Sequence, residues 1–200
     1  GTPDPRNFAS AYSSAAWDLR HNFVGSFSYD IPYGRGKNHG ANLNRAVNTV
    51  VGNWQLNSIL TLHTGAPFTL RSNACQGVWN ACRPDLVAGR DPKDAPSSGR
   101  SPDLWFDTSA VTTPAPLTGG NLGLQTNNEP PTRMLDASIF KNFSFTERWM
   151  MQFRAEGFNV ANTPQYSRPD NNLQNATFGK VTSTQPGTER RFQFSLRLQF

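Results

Sequence analysis

Apolar and polar residues alternate without a break at the end of the chain. Phe192, Phe194, Leu196, Leu198 and Phe200 fall on one parity, and Arg191, Gln193, Ser195, Arg197 and Gln199 on the other. Successive side chains of a β-strand point to opposite faces, so this period predicts a strand with one greasy and one polar side. The pattern runs to an aromatic last residue, where a soluble domain usually lets its terminus fray. A strand apolar outside, polar inside and aromatic at its tip suits the wall of a membrane β-barrel.

Four further segments show the same alternation. In His21–Ile31, Phe23, Phe27, Tyr29 and Ile31 oppose Asn22, Ser26, Ser28 and Asp30. In Asn53–His63, Trp54, Leu56, Leu60 and Leu62 oppose Asn53, Gln55, Asn57 and Thr61. In Leu135–Phe145, Leu135, Ala137, Ile139, Phe143 and Phe145 oppose Asp136, Ser138, Asn142 and Ser144, while Lys141 falls on the apolar parity. In Trp149–Val160, Trp149, Met151, Phe153 and Ala155 oppose Gln152, Arg154 and Glu156. Its parity then switches after Gly157, which predicts a β-bulge at that glycine. Each segment runs about 10–12 residues, near what a tilted strand needs to cross a bilayer. Strands of soluble domains more often run about 5–6 residues. The predicted fold class is all-β, a partial barrel of antiparallel up-and-down strands.

The connections are unequal. Thr146–Arg148 predicts a tight turn, whereas Gly65–Arg133 is a stretch of about seventy residues crowded with Pro, Gly, Ser and Asp. Loops that long are uncommon in compact soluble domains, but long loops on one side and short turns on the other are normal for outer-membrane barrels. Residues 65–133 are therefore expected to form a long extracellular loop, with 1–200 as one segment of a larger barrel. Pro32–Gly52 should be a short turn in this scheme and is longer than expected.

Hydrophobic residues make up 36% of the chain, and no apolar run reaches the length of a spanning helix. That excludes a helical membrane protein without touching a barrel, whose alternating strands average out in hydropathy. The counts of 14 Phe, 16 Gly and 15 Pro are those of strands and loops. The net charge of +5 is dispersed, so no nucleic-acid footprint is expected. Cys75 and Cys82 lie close together in a loop-like stretch, where a disulfide in an oxidising compartment competes with two free thiols. No metal site or cofactor is expected from them, since further Cys or His ligands are not nearby in sequence.

Catalytic motifs are lacking. His21, His39 and His63 are far apart in sequence, and no Walker loop, Gly-x-Ser-x-Gly or His-Glu-x-x-His is present. In the long loop Trp79, Arg83, Asp85, Trp105 and Asp107 are candidate ligand-facing residues, because exposed aromatics can stack on a sugar or clamp a peptide. Trp79, Trp105 and Phe106 have a plainer reading as a small core that folds the loop onto itself.

These residues together resemble the C-terminal end of TonB-dependent outer-membrane receptors of the Oar-like type, which carry an N-terminal carboxypeptidase-regulatory-like domain. The stretches involved are Asp18–Phe23 with Tyr29–Gly34, Trp54–Leu56 with Thr64–Phe68, Arg83–Val87, Trp105–Thr108, Asp136–Phe143 and Phe153–Pro164. The resemblance implies a barrel of about 22 strands around an N-terminal plug, in the bacterial outer membrane, for uptake of a bulky ligand. It implies contact with lipid through Phe192, Phe194, Leu196, Leu198 and Phe200, and recognition of Phe200 by the outer-membrane assembly machinery. It also implies contact with the remainder of a receptor chain, whose plug would engage TonB. Neither the plug nor the energy-coupling segment that the resemblance implies is expected within these 200 residues.

Two readings compete with a non-enzymatic barrel. One is a soluble β-sandwich that binds carbohydrate or peptide, which predicts additional short strands within Gly65–Arg133. The other is a hydrolase built on His63 or His21.

Overall fold

The computed structural model describes residues 8–75, 82–145 and 149–200. The strands are β1 (Asn22–Asp30), β2 (Trp54–His63), β3 (Pro67–Phe68), β4 (Asp85–Leu86), β5 (Val111–Thr112), β6 (Asn127–Asn128), β7 (Thr132–Ser144), β8 (Met150–Phe158) and β9 (Arg191–Gln199). One short helix, α1 (Arg45–Val51), lies between β1 and β2. The five long strands form one sheet in the order β1-β2-β7-β8-β9. Their bounds fall within a few residues of the five alternating segments. The tight turn expected at Thr146–Arg148 lies outside the described residues.

The described chain forms two compact units. The first is the sheet, made of Phe23–Leu62, Arg133–Pro164 and Pro186–Phe200. Register gathers the apolar parities on one face. Phe192, Phe194, Leu196 and Leu198 stand opposite Gly157, Ala155, Phe153 and Met151. Those four stand opposite Ala137, Ile139, Lys141 and Phe143. Directly opposed residues share a face of a sheet. β1 and β2 are tied at one end by Ile31 N–H donating to the Trp54 carbonyl. Counting inward from that bond sets Tyr29 opposite Leu56 and Phe23 opposite Leu62.

The bulge expected at Gly157 is displaced. Gly157 and Phe158 stay in register with Phe192 and Arg191, and the irregularity comes at Asn159, in the left-handed region at φ 47°. The amide of Asn159 donates to the Asp136 carboxylate, and Val160 N–H donates to the Leu135 carbonyl. Phe158 consequently stays on the polar face, where the Arg191 guanidinium covers its ring at 5.0 Å. Gly157 is needed for close approach: a Cβ there would stand 2.6 Å from Val160 and 2.9 Å from the Phe192 ring.

The second unit comprises Gly1–Asn22, His63–Thr132 and Gln165–Gln185. Its core is Phe68, Leu70, Phe106, Val111 and Leu122, with Trp105, Leu173 and Phe178 packed against it. Phe106 meets Phe178 edge to face at 5.3 Å, a preferred geometry for aromatic pairs. The long loop is thus folded on itself, and Phe106 serves packing. Short strands are present in it, but among the described residues each is two residues long, with β3 paired to β6 and β4 to β5. At the start of β3 the chain needs a glycine: a Cβ on Gly65 would stand 1.7 Å from the Glu129 carbonyl oxygen. Gly65→Ala should therefore lower the stability of this unit by about 1–3 kcal/mol, read as faster protease cleavage within 65–133 with the sheet intact.

Candidate functional site

The sheet presents two unlike surfaces. On the apolar side, the β9 residues Phe192, Phe194, Leu196 and Leu198 are 53–70% exposed, and Phe23, Phe27, Tyr29, Leu56 and Leu62 are exposed as well. A contiguous apolar surface of this kind on a soluble monomer would be a strong aggregation hazard. The opposite side is polar and cross-linked. Gln152 donates to Asn142 directly across the ladder. Arg154 pairs with Glu156 at 2.7 Å and lies over the Phe140 ring at 4.5 Å. Gln193 faces Glu156, and Arg197 faces Gln152. The arrangement, greasy on one side and hydrogen-bonding on the other, is that of a barrel wall between lipid and an aqueous lumen.

Aromatic residues crowd the strand ends that share a side with Phe200. Trp149 stacks on Phe200 at 5.4 Å, and Trp54, at the start of β2, reaches inward to meet Phe153 edge-on at 6.4 Å. Amphipathic aromatics at this level are the girdle of membrane barrels.

Lys141, which stands among Ala137, Ile139 and Phe143 on the apolar parity of β7, is 2% exposed. Its ammonium donates to the Gly52 carbonyl and sits 4.9 Å from the Trp54 ring and 5.1 Å from the Phe143 ring. Gly52 caps the C-terminus of α1, where the helix dipole favours a cation. The off-parity position was the available signal for this cluster. Its carbonyl partner, far away in sequence, gave none.

The loop candidates lie in the second unit. Trp79 falls outside the described residues. Asp85 accepts from Asn121 N–H, and the Asn121 side chain accepts in turn from Leu86 N–H, which fastens β4. Arg83 is partly buried, and that burial lowers its pKa from the ordinary arginine value. Trp105 donates its indole N–H to the Asn128 carbonyl at 3.2 Å, with Arg100 over its ring. Asp107 caps the turn Thr108–Ala110 through Ser109 N–H and pairs with Arg90 at 3.3 Å. Among the described residues no hydrogen bond or ion pair joins Asp85 to Asp107, or either of them to Trp105. Asp85, Trp105 and Asp107 are each engaged in holding the folded loop together. Cys75 and Cys82 are joined by a disulfide. The backbones of His21 and Thr64 are bonded, which brings His21 near the end of β2, while His39 is bridged to Tyr33.

Two carboxylates set an acid limit for this unit. The hydroxyl of Ser109, then its amide and Arg90, hold the Asp107 carboxyl below the ordinary aspartate value, against the opposing effect of burial. Burial alone would raise Asp170, but hydrogen bonds from Thr177, Asn172 and Asn175 outweigh it and lower its pKa. A depressed folded-state pKa gives stability that is full above the unfolded value and lost as pH falls through the folded one. Acid should therefore loosen the loop unit only below the ordinary aspartate range of about 4. Asp107→Asn and Asp170→Asn should each flatten that dependence, as followed by hydrogen exchange of 85–128 and 166–180.

The Asn-x-x-Asn-Thr-Pro run after β8 is an exit turn. Asn159 and Asn162 both have positive φ. The Asn159 side chain donates to the Thr163 and Thr188 carbonyls and accepts from Thr163 N–H.

Residues 1–193 match the family model described as an outer membrane beta barrel domain. No curated protein and no solved structure matches the chain.

Proposed function

The chain belongs to the family of outer membrane β-barrel domains, and from that premise we propose that it forms part of the barrel wall of a TonB-dependent receptor that takes up a bulky ligand. The family places the chain in the bacterial outer membrane and makes it an all-β barrel protein. The observation that carries the reading further is the pairing of two features. One is a spanning sheet with an apolar and a polar face; the other is a long connection, Gly65–Arg133, folded around its own core. A folded loop of that size suits ligand selection at a wide barrel mouth, and the Arg, Gln and Glu residues of the polar face suit a hydrated lumen. In this reading residues 65–133 face outward, with Arg83, Asp85, Trp105 and Asp107 framing the loop, and Trp79 in the same stretch. The rest of the receptor would supply the remaining strands and the plug, TonB would act on that plug, and Phe200 would be read by the assembly machinery.

Deleting the gene and, separately, the gene for the energy-coupling partner should abolish growth on the same bulky nutrient. A nutrient whose uptake needs the barrel but not the coupling partner would reduce the reading to a passive pore.

A further inference from the structure

The connection between β1 and β2 is long for a barrel turn, and its chemistry is one-sided. Residues 31–53 contain Arg35, Lys37, His39 and Arg45 and no Asp or Glu. All four side chains are exposed, and among the described residues none of the four is in an ion pair. The helix in this connection starts at an Asn44 cap, whose side chain accepts from Val47 N–H. Val47 and Val50, three positions apart and therefore neighbours on one helix face, are 41% and 66% exposed.

Two contacts fix where the helix lies. The indole of Trp54 donates to the Val50 carbonyl at 2.9 Å, and the Lys141 ammonium donates to the Gly52 carbonyl. Lys141 stands on the face that carries Phe153 and Leu196, and its ammonium lies over the Trp54 ring. The C-terminus of α1 is therefore held against the apolar side of the sheet, at the end where β1 stops and β2 begins with Trp54. A short helix on the greasy side of a barrel wall, at the end of its strands and beside a tryptophan, meets lipid headgroups. Exposed valines with a purely cationic flank are the pattern of an interfacial helix on an anionic leaflet.

We propose that residues 31–53 are an interfacial anchor, with Val47 and Val50 at the acyl boundary of an anionic phospholipid leaflet and Arg35, Lys37 and Arg45 at its phosphates. The proposal rests on the reading of the apolar face as lipid-facing. Lys141 and Trp54 act as the clasp that keeps α1 against the wall.

The test uses the full-length protein folded into phosphatidylcholine vesicles with or without phosphatidylglycerol. An environment-sensitive fluorophore is placed at Val50→Cys or, as a control in the wall, at Leu196→Cys. Spin-labelled lipids then quench it by depth. The Leu196 label should be quenched best by spin labels deep in the acyl chain, and the Val50 label by shallow ones. Headgroup-labelled phosphatidylglycerol should quench the Val50 label roughly twofold or more better than headgroup-labelled phosphatidylcholine. Arg35→Gln, Lys37→Gln and Arg45→Gln combined should erase that difference. Quenching at Leu196 with none at Val50 overturns the anchor and leaves the barrel wall standing, with α1 covered by protein or in water. Equal quenching of Val50 by the two headgroups also overturns it. Absence of quenching at both positions overturns the anchor and the lipid-facing wall together.

Discussion

Leu196→Arg is expected to cost about 2–4 kcal/mol of folded-state stability in a bilayer, the range for an arginine on the lipid face near the midplane of a barrel. Leu196 is in the middle of β9, opposite Phe153, and 67% exposed. In water such a substitution at an exposed site would be worth within about 0.5 kcal/mol, so the size of the loss reports the solvent on that face. Gln193→Arg is the matched control. It stands on the other parity, across from Glu156, and should change stability by no more than about 0.5 kcal/mol. Urea titration of the vesicle-inserted protein, followed by gel mobility of the folded form, measures both.

Lys141→Glu should be more severe, about 3–5 kcal/mol, the range seen when a buried charge loses its partner. The new carboxylate would point at the Gly52 carbonyl and at the negative faces of the Trp54 and Phe143 rings, which attract a cation and repel an anion. Lys141→Met keeps the stem and loses only the donor, so a loss of about 1–3 kcal/mol is expected. Trp54 lies in the cluster, and its fluorescence should shift in both variants. If Glu and Met behave alike, the ammonium does not hold α1.

The sheet was legible because its cause is periodic. Each long strand must present one kind of side chain to each solvent, and that requirement writes itself as parity over nine or more residues. A break in parity near Gly157 was visible too, but not its place, since Phe158 stays in register and the break comes at Asn159. Sequence favours glycine for an irregular backbone, yet Gly157 is there to admit the Phe192 ring, and Asn159 takes the positive φ because Asp136 receives its amide.

The second unit was less legible. Phe68, Leu70, Phe106, Val111 and Leu122 form a core with no shared period, so the segment read as loop. The expectation that Phe106 packs was met, whereas the ligand-facing role of Trp105 and Asp107 stays a proposal, since both now have structural partners. Helix α1, seven residues long, was hidden by its length. An isolated helix that short is unstable in water, and its hold on the sheet depends on Trp54 and Lys141. Its presence accounts for the unexpected length of Pro32–Gly52.

The central claim is that the even-numbered side chains of β9 meet lipid and the odd-numbered ones meet water. Single cysteines placed in turn from Phe192 to Gln199 in the membrane-inserted protein test it. Cys75 and Cys82 are tied in their disulfide and stay silent. Positions 192, 194, 196 and 198 should react with a lipid-soluble maleimide and resist a charged water-soluble one. Positions 193, 195, 197 and 199 should do the reverse. Equal reactivity of both parities toward the charged reagent would contradict the claim.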